Sequence, residues 1–214
     1  MISSALAGFG LGLSLIVAIG AQNLFVLRQG IRREHAALVA LVCALSDAAL
    51  IALGVSGLGL VLHAAPWLIE VVRWAGAAFL LGYAALAARR ALRPSAEALR
   101  PDDDASEAVG SPSAAASRSG IGAVVATCLA LTWLNPHVYL DTVFLLGSVA
   151  ATHGDGRWWF AAGAVAASFA WFFALALGAR ALAPVLSTPR AWRVLDGVIA
   201  VVMAVLAVSL VLPH

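Results

Sequence analysis

Six long apolar stretches dominate the pattern of hydrophobic and polar positions along the chain. They cover residues 4–27, 36–62, 66–88, 120–152, 158–179 and 194–212, and each carries at most two charged side chains. About 20 apolar residues cross a bilayer core, where the absence of water makes every backbone polar group bond internally, as a helix allows. The pattern therefore predicts an all-α membrane protein with six transmembrane helices.

The composition agrees with this class. Of the 214 residues, 63% are hydrophobic and 11% are charged, against about 25% charged in soluble domains. All 13 basic residues are arginines, and all but Arg73 lie in segments between the apolar stretches, so no basic face predicts a nucleic-acid partner. Cys43 and Cys128 fall within apolar stretches, where we expect small buried hydrophobic side chains rather than a disulfide or a metal pair.

The arginines also predict an orientation. Eleven of the 13 follow the first, third and fifth stretches, and only Arg73 and Arg157 fall on the other side. Positive residues concentrate in cytoplasmic loops, so both termini are predicted to be extracytoplasmic. No basic segment precedes the first stretch, which favours an uncleaved helix over a signal peptide.

Residues 93–119 divide the chain into two halves. This segment is rich in Pro, Ser, Ala and acidic residues and has no apolar period, so we expect a flexible cytoplasmic linker. For the chain as a whole we expect no cofactor and no metal site. Residues 1–92 and 120–214 each hold three predicted helices. Because three is odd, the second set would be inverted relative to the first, the plan of many secondary transporters.

Both halves carry an interruption near the middle of their first helix. Gly20 begins the sequence GAQN, which contributes the amides Gln22 and Asn23, and Asn135 precedes Pro136. Proline removes a backbone donor and disrupts the preceding turn, so a break is expected there. In inverted-repeat transporters such breaks lie beside the substrate, although the same amides could simply bond neighbouring helices.

Two acids lie deep within predicted helices. Inserting an ionised side chain at mid-bilayer costs about 2.5–3.5 kcal/mol of free energy. The presence of Asp47 and Asp141 at this depth therefore indicates a specific structural or functional role. The functional hypothesis is that both face a cavity and bind a cation or protons, and His137 is a weaker candidate on the face of Asp141. The structural alternative is a protonated acid bonded to a neighbouring helix.

Other classes of function remain open at this point. No nucleotide-binding loop, zinc-protease motif or serine-hydrolase elbow occurs, so we expect a gradient-driven transporter and no enzyme. A transporter of inorganic or metal cations could use the same two acids, but this sequence has no cluster of His, Cys or oxygen ligands around them. An intramembrane enzyme could use His137 and Asp141 as acid and base, but no nucleophile accompanies them in the sequence.

Four motifs resemble the LysE/ArgO family of lysine and arginine exporters. They are GLSLIVAIGAQNLFVLRQGIRREH, CALSDAALIALG, TWLNPHVYLDTVFLLGS and SFAWFFALALGAR, in the same order and spread over nearly the whole chain apart from the linker. The resemblance implies a six-helix exporter of basic amino acids in the bacterial inner membrane, coupled to protons and often a homodimer.

The resemblance also implies which residues act. The membrane acids of the family would be Asp47 and Asp141, and its amide motifs would be Gln22 with Asn23 and Asn135 with Pro136. Related branches that export neutral amino acids have Gly-Pro in the first motif, whereas this chain has Gly-Ala-Gln, which favours a basic substrate. Two acids and several amides complement a solute with two cationic groups and one carboxylate.

Overall fold

The computed structural model describes residues 1–17, 20–32, 35–57, 66–92, 120–182 and 188–212, and the predicted linker lies outside these ranges. The described residues form helices and no strand, which confirms the all-α prediction. The helices are α1 (Ile2–Ile16), α2 (Ala21–Arg32), α3 (Ala36–Val55), α4 (Pro66–Leu92), α5 (Ile121–Trp133), α6 (Pro136–Thr152), α7 (Arg157–Leu182) and α8 (Pro189–Val211). A 3₁₀ turn at Gly154–Gly156 joins α6 to α7.

The described helices include four that are long and apolar enough to cross a membrane singly, namely α3, α4, α7 and α8. Two further crossings arise if the bent pairs α1 with α2 and α5 with α6 each count as one. The bends are 82° and 59°, respectively. Counted in this way, the described part of the chain agrees with six crossings.

The first bent pair, α1 with α2, packs on α7 through close backbone contacts. A Cβ atom on Gly8 would lie 1.9 Å from the carbonyl oxygen of Phe160, near the start of α7. A Cβ atom on Gly30 would lie 2.5 Å from the Cβ atom of Ala179, near its end. Only glycine permits such approaches, as at many membrane helix interfaces. The α1–α2 pair therefore contacts α7 near both ends of that helix.

The central helix α3 packs against α7 on one side and against α5 and α6 on another. A Cβ atom on Gly54 would lie 2.7 Å from the carbonyl oxygen of Thr142 and 2.8 Å from the Cα atom of Val143. Near the other end of α3, Cys43 and Cys128 are unlinked and completely buried, with their Sγ atoms 2.8 Å apart. The predicted burial of both cysteines is confirmed.

The helices α4 and α8 form an antiparallel pair. The Arg73 guanidinium donates hydrogen bonds to the carbonyl oxygens of Leu210 and Val211 and also contacts Glu70. These bonds satisfy carbonyl groups that the end of a helix leaves without partners. Arg73 therefore connects α4 to the end of α8.

Several helix bounds differ from those predicted by hydropathy. The last helix begins at Pro189 rather than at residue 194, because the Thr188 hydroxyl accepts a hydrogen bond from the Ala191 amide and proline suits the first helical position. Likewise, α4 continues to Leu92, whereas α3 ends at Val55. Hydropathy locates the apolar part of a helix, whereas capping and polar end turns set its limits.

Candidate functional site

The first helix interruption is held together by Asn23. Its Nδ2 donates a hydrogen bond of 2.9 Å to the carbonyl oxygen of Ile16, the last residue of α1. Its Oδ1 accepts a hydrogen bond of 3.2 Å from the indole Nε1 of Trp171 on α7. Asn23 thus satisfies a carbonyl at the end of α1 and ties the interruption to the neighbouring helix.

The second interruption is capped by Asn135. Its backbone is extended, and its Oδ1 accepts a hydrogen bond of 3.1 Å from the amide of His137 while Pro136 occupies the first helical position. These are the features of a regular helix start. On the preceding side, the Tyr139 hydroxyl donates a hydrogen bond of 2.8 Å to the carbonyl oxygen of Trp133, where α5 ends. The sequence Asn-Pro therefore ends one helix and begins another.

Asp47 lies where three helices meet. Its side chain is buried on α3, and the hydroxyl of Ser168 on α7 donates a hydrogen bond of 2.8 Å to its Oδ2. Gln22, in the first turn of α2, lies close enough to interact with the Asp47 carboxyl group. Its Nε2 is buried and has no hydrogen-bond partner within the described chain. The interruption in the first bent pair is therefore directly beside the buried acid.

No cationic side chain neutralises Asp47 in the part of the chain that the structure describes. The ion pairs there involve Glu70 and Asp196 instead. A buried carboxylate without a cation or a proton is costly, and one hydroxyl donor offsets only part of that cost. Asp47 is therefore a buried carboxyl group whose charge no cationic side chain of the described residues balances.

Asp141 has different surroundings. It is only half-buried, in a π-helical stretch of α6 over Tyr139–Leu145, and its electrostatic neighbour is His137. The adjacent residue Thr142 packs on α3 at Gly54, which is seven residues beyond Asp47 and thus about 10 Å along the helix axis. The structure therefore does not bring the two predicted acids into contact.

The cavities between the described helices include a small one and a much larger one. The smaller, of about 10 Å³, lies where both interruptions meet, with Ala21, Asn135 and His137 in its wall. The larger, of about 620 Å³, lies near the ends of α2 and α4 and is called here the arginine vestibule. It is lined by Phe25, Arg28, Gln29, Arg32, Phe79, Gly82, Tyr83, Leu86, Arg90, Ala123, Val124 and Thr127. Phe79 lines both cavities and Asp47 lines neither, so the acid is closed off from both in this conformation.

The structure places two further polar residues, Ser168 and Asp196, near these sites, and neither was predicted from the sequence. Ser168 begins the motif SFAWFFALALGAR, but a serine in an apolar helix usually bonds within its own helix, so the motif does not predict its contact with Asp47. Asp196 is buried on α8, with its Oδ1 3.1 Å from Arg28 and 3.6 Å from Arg90. Asp196 could have been singled out in the sequence, because it is an acid near the start of an apolar stretch, three residues after Arg193. Its partners could not, because they come from distant parts of the chain.

The described residues contain no group of three or more His, Cys, Asp or Glu side chains that could hold a metal ion. The polar groups of the site are instead carboxyl, hydroxyl and amide groups around Asp47 and guanidinium groups around the vestibule. Such groups bind organic solutes through hydrogen bonds and charge.

Comparisons with known proteins identify the family of the chain. The chain matches the family described as LysE type translocator over residues 13–213. It is 50% identical over 92% of its length to a Mycobacterium tuberculosis protein whose name assigns it provisionally to amino-acid transport, of which 90% is covered. It is 43% identical over 98% of its length to the arginine exporter protein ArgO of Salmonella typhimurium, of which 94% is covered. No solved structure matches the chain. The family match spans nearly the whole sequence, and the chain belongs to the LysE family of translocators, which are integral membrane proteins.

Proposed function

We propose that this protein exports basic amino acids, arginine or lysine, across the bacterial inner membrane in exchange for protons. The observation that carries the proposal is Asp47, a buried acid beside a helix interruption with no cationic side chain paired to it in the described residues. The name of the relative ArgO supports arginine as a substrate. A cationic solute would provide the charge that the carboxylate lacks.

Proton coupling follows from the cost of export. Moving a cation out of a cell against a negative-inside potential costs about 2.3 kcal/mol per charge for each 100 mV. An ion that moves inward must therefore supply this energy. In our proposal Asp47 binds the cationic head of the substrate in one state and a proton in the other. The Ser168 hydroxyl holds its side chain in place in both states.

An inverted repeat would provide the required change of access, and helix packing supports it. If residues 1–92 and 120–214 are related by a two-fold axis in the membrane plane, the first, second and third crossings correspond to the fourth, fifth and sixth. The packing of α1 and α2 on α7 then corresponds to the packing of α5 and α6 on α3. The pairs α3 with α7 and α4 with α8 each map onto themselves. All four contacts fit the symmetry.

The two interruptions would act as hinges in this scheme. Gln22 lies beside Asp47, and its neighbour Ala21 shares the small cavity with Asn135 and His137. Rearrangement at the two breaks would enlarge this cavity and connect it to the acid. Asp141, on α6, packs beside α3 about two helical turns beyond Asp47, which is too far for both acids to share one bound cation. We therefore assign it to the opposite exit with His137 rather than to the central site.

The proposal is tested by counterflow in proteoliposomes with arginine, lysine, citrulline and leucine. Arginine and lysine should exchange rapidly, and citrulline, which has the shape of arginine without its charge, should exchange at least about a hundredfold more slowly. A proton gradient of the correct sign should drive net arginine movement. Equal rates for arginine and citrulline would contradict recognition by charge, and faster leucine exchange would identify an exporter of neutral amino acids.

A further inference from the structure

The arginine vestibule lies at the end of the bundle where α4 ends and α5 begins. Arg28 comes from α2, Arg90 from α4 and their shared partner Asp196 from α8. Thr127, on the α5 side of the vestibule, is followed by Cys128, which contacts Cys43 one helical turn before Asp47. The vestibule is thus next to the central acid but is separated from it by a layer of buried side chains.

The vestibule contains more positive than negative charge. Two guanidinium groups, from Arg28 and Arg90, share the one carboxylate of Asp196. The side chains of Arg28 and Asp196 are only 7% and 9% exposed, whereas that of Arg90 is 39% exposed and lies 5.6 Å from the ring centre of Tyr83. One carboxylate neutralises one guanidinium, so a positive charge remains in a largely apolar setting.

Several polar atoms of this cluster have no hydrogen-bond partner within the described chain. They include Arg28 Nε, Arg90 Nε and Nη2, and Gln29 Oε1, all of which are buried. The ion pairs to Asp196 are close in distance, but its Oδ1 receives no properly directed hydrogen bond. Buried donors are normally satisfied, so unused guanidinium donors at a cavity wall indicate a missing acceptor.

We propose that the arginine vestibule binds the carboxylate group of the transported amino acid. A carboxylate is the natural ligand of a guanidinium, since its two oxygens accept paired hydrogen bonds from the planar fork. The cavity, at about 620 Å³, falls within the range of about 300–1,000 Å³ that is common for small-molecule sites. The unpaired Gln29 Oε1 would accept a hydrogen bond from the ammonium group of the same solute.

This inference deepens the proposed function and rests on it for the identity of the substrate. Arg28 follows Gln22 by six residues, or about 9 Å along α2. A long amino acid held by its carboxylate at Arg28 would extend its side chain along α2 towards Asp47. The vestibule would therefore recognise the part common to all amino acids, and Asp47 would recognise the cationic head.

The experiment compares each amino acid with its amide, which replaces the carboxylate by a neutral group of similar shape. Arginine, argininamide, leucine and leucinamide are tested as substrates or competitors in counterflow with the full-length protein. The variants are Arg90→Gln and Arg28→Lys. The matched control is Arg89→Gln, an exposed arginine outside the vestibule that changes the net charge equally.

We expect wild-type protein and the Arg89→Gln control to favour arginine over argininamide by about tenfold or more, the usual effect of a charge-assisted hydrogen bond. Arg90→Gln should raise the KM for arginine by a similar factor and leave argininamide unchanged. Arg28→Lys keeps the positive charge but loses the planar fork of the guanidinium, so it should raise the KM for arginine by a smaller factor. If the arginines had a purely structural role, the variants would lower the transport of arginine and of argininamide equally.

Two results would overturn the inference. One is equal transport of arginine and argininamide by the wild-type protein, in which case export of basic amino acids still stands. The other result has two parts. Vesicles of anionic lipid would protect the wild-type protein but not Arg90→Gln against heat, and Arg90→Gln would still discriminate arginine from argininamide as the wild type does. This result would assign the vestibule to a lipid phosphate. Discrimination of leucine from leucinamide without any arginine transport would instead contradict the proposed substrate and retain the carboxylate site.

Discussion

Replacing Asp47 by asparagine separates the chemistry of the buried acid from its packing. The amide has nearly the same shape, and its oxygen still accepts the hydrogen bond that the Ser168 hydroxyl donates over 2.8 Å. The change from a charge-assisted to a neutral hydrogen bond is worth about 1 kcal/mol. We therefore expect Asp47→Asn to insert and fold.

Transport should change far more than stability. A cation that loses a buried, ionised partner loses about 3–5 kcal/mol, which corresponds to at least about a hundredfold in affinity at 1.4 kcal/mol per factor of ten. The asparagine also cannot carry a proton. Both effects act on the same step, so counterflow of arginine should fall to background.

The assay is counterflow of labelled arginine in proteoliposomes, with the amount of folded protein measured by size-exclusion chromatography. Asp155→Asn is the matched control, because this acid is exposed in the turn between α6 and α7. Ser168→Ala removes the hydroxyl alone and should lower the rate less than Asp47→Asn. Wild-type rates in Asp47→Asn would refute the mechanism, and equal losses of rate and of folded protein would show that the acid is structural.

Three further predictions test the fold. Gly8→Ala should destabilise the protein by about 1–3 kcal/mol in thermal unfolding, because the added Cβ atom would lie 1.9 Å from a carbonyl oxygen of α7. Gly10→Ala, with no atom within 4 Å of the added group, is its control and should have little effect. Asn135→Ala should remove the cap at the second interruption at a cost of about 1 kcal/mol, whereas Asn135→Ser should keep most of it. A reporter that is active only in the cytoplasm should work when inserted within residues 93–119 and be silent at the C-terminus, and the reverse would invert the predicted topology.

The apolar stretches and motifs of the sequence predicted the class of protein, its family and the approximate helices. These features are local, because a bilayer selects for continuous apolar segments regardless of how they pack. The Asn-Pro interruption is local in the same way, and the sequence placed it at the residue where α6 begins. Helix ends were less accurate, as at Thr188, because a single side-chain hydrogen bond sets them.

Which side chains meet was decided by the tertiary structure. The sequence singled out Asp47 and Asp141 as acids that both face a cavity, but α3 and α6 pack in a register that separates them by about two helical turns. The same packing joins Asp47 to Ser168, across 121 residues, and Asp196 to Arg28 and Arg90. Hydropathy reports how each helix faces lipid, whereas these contacts depend on the rotation and depth of one helix against another. Small residues such as Gly8 and Gly54 set that rotation and depth through backbone contact, and the sequence does not name their partners.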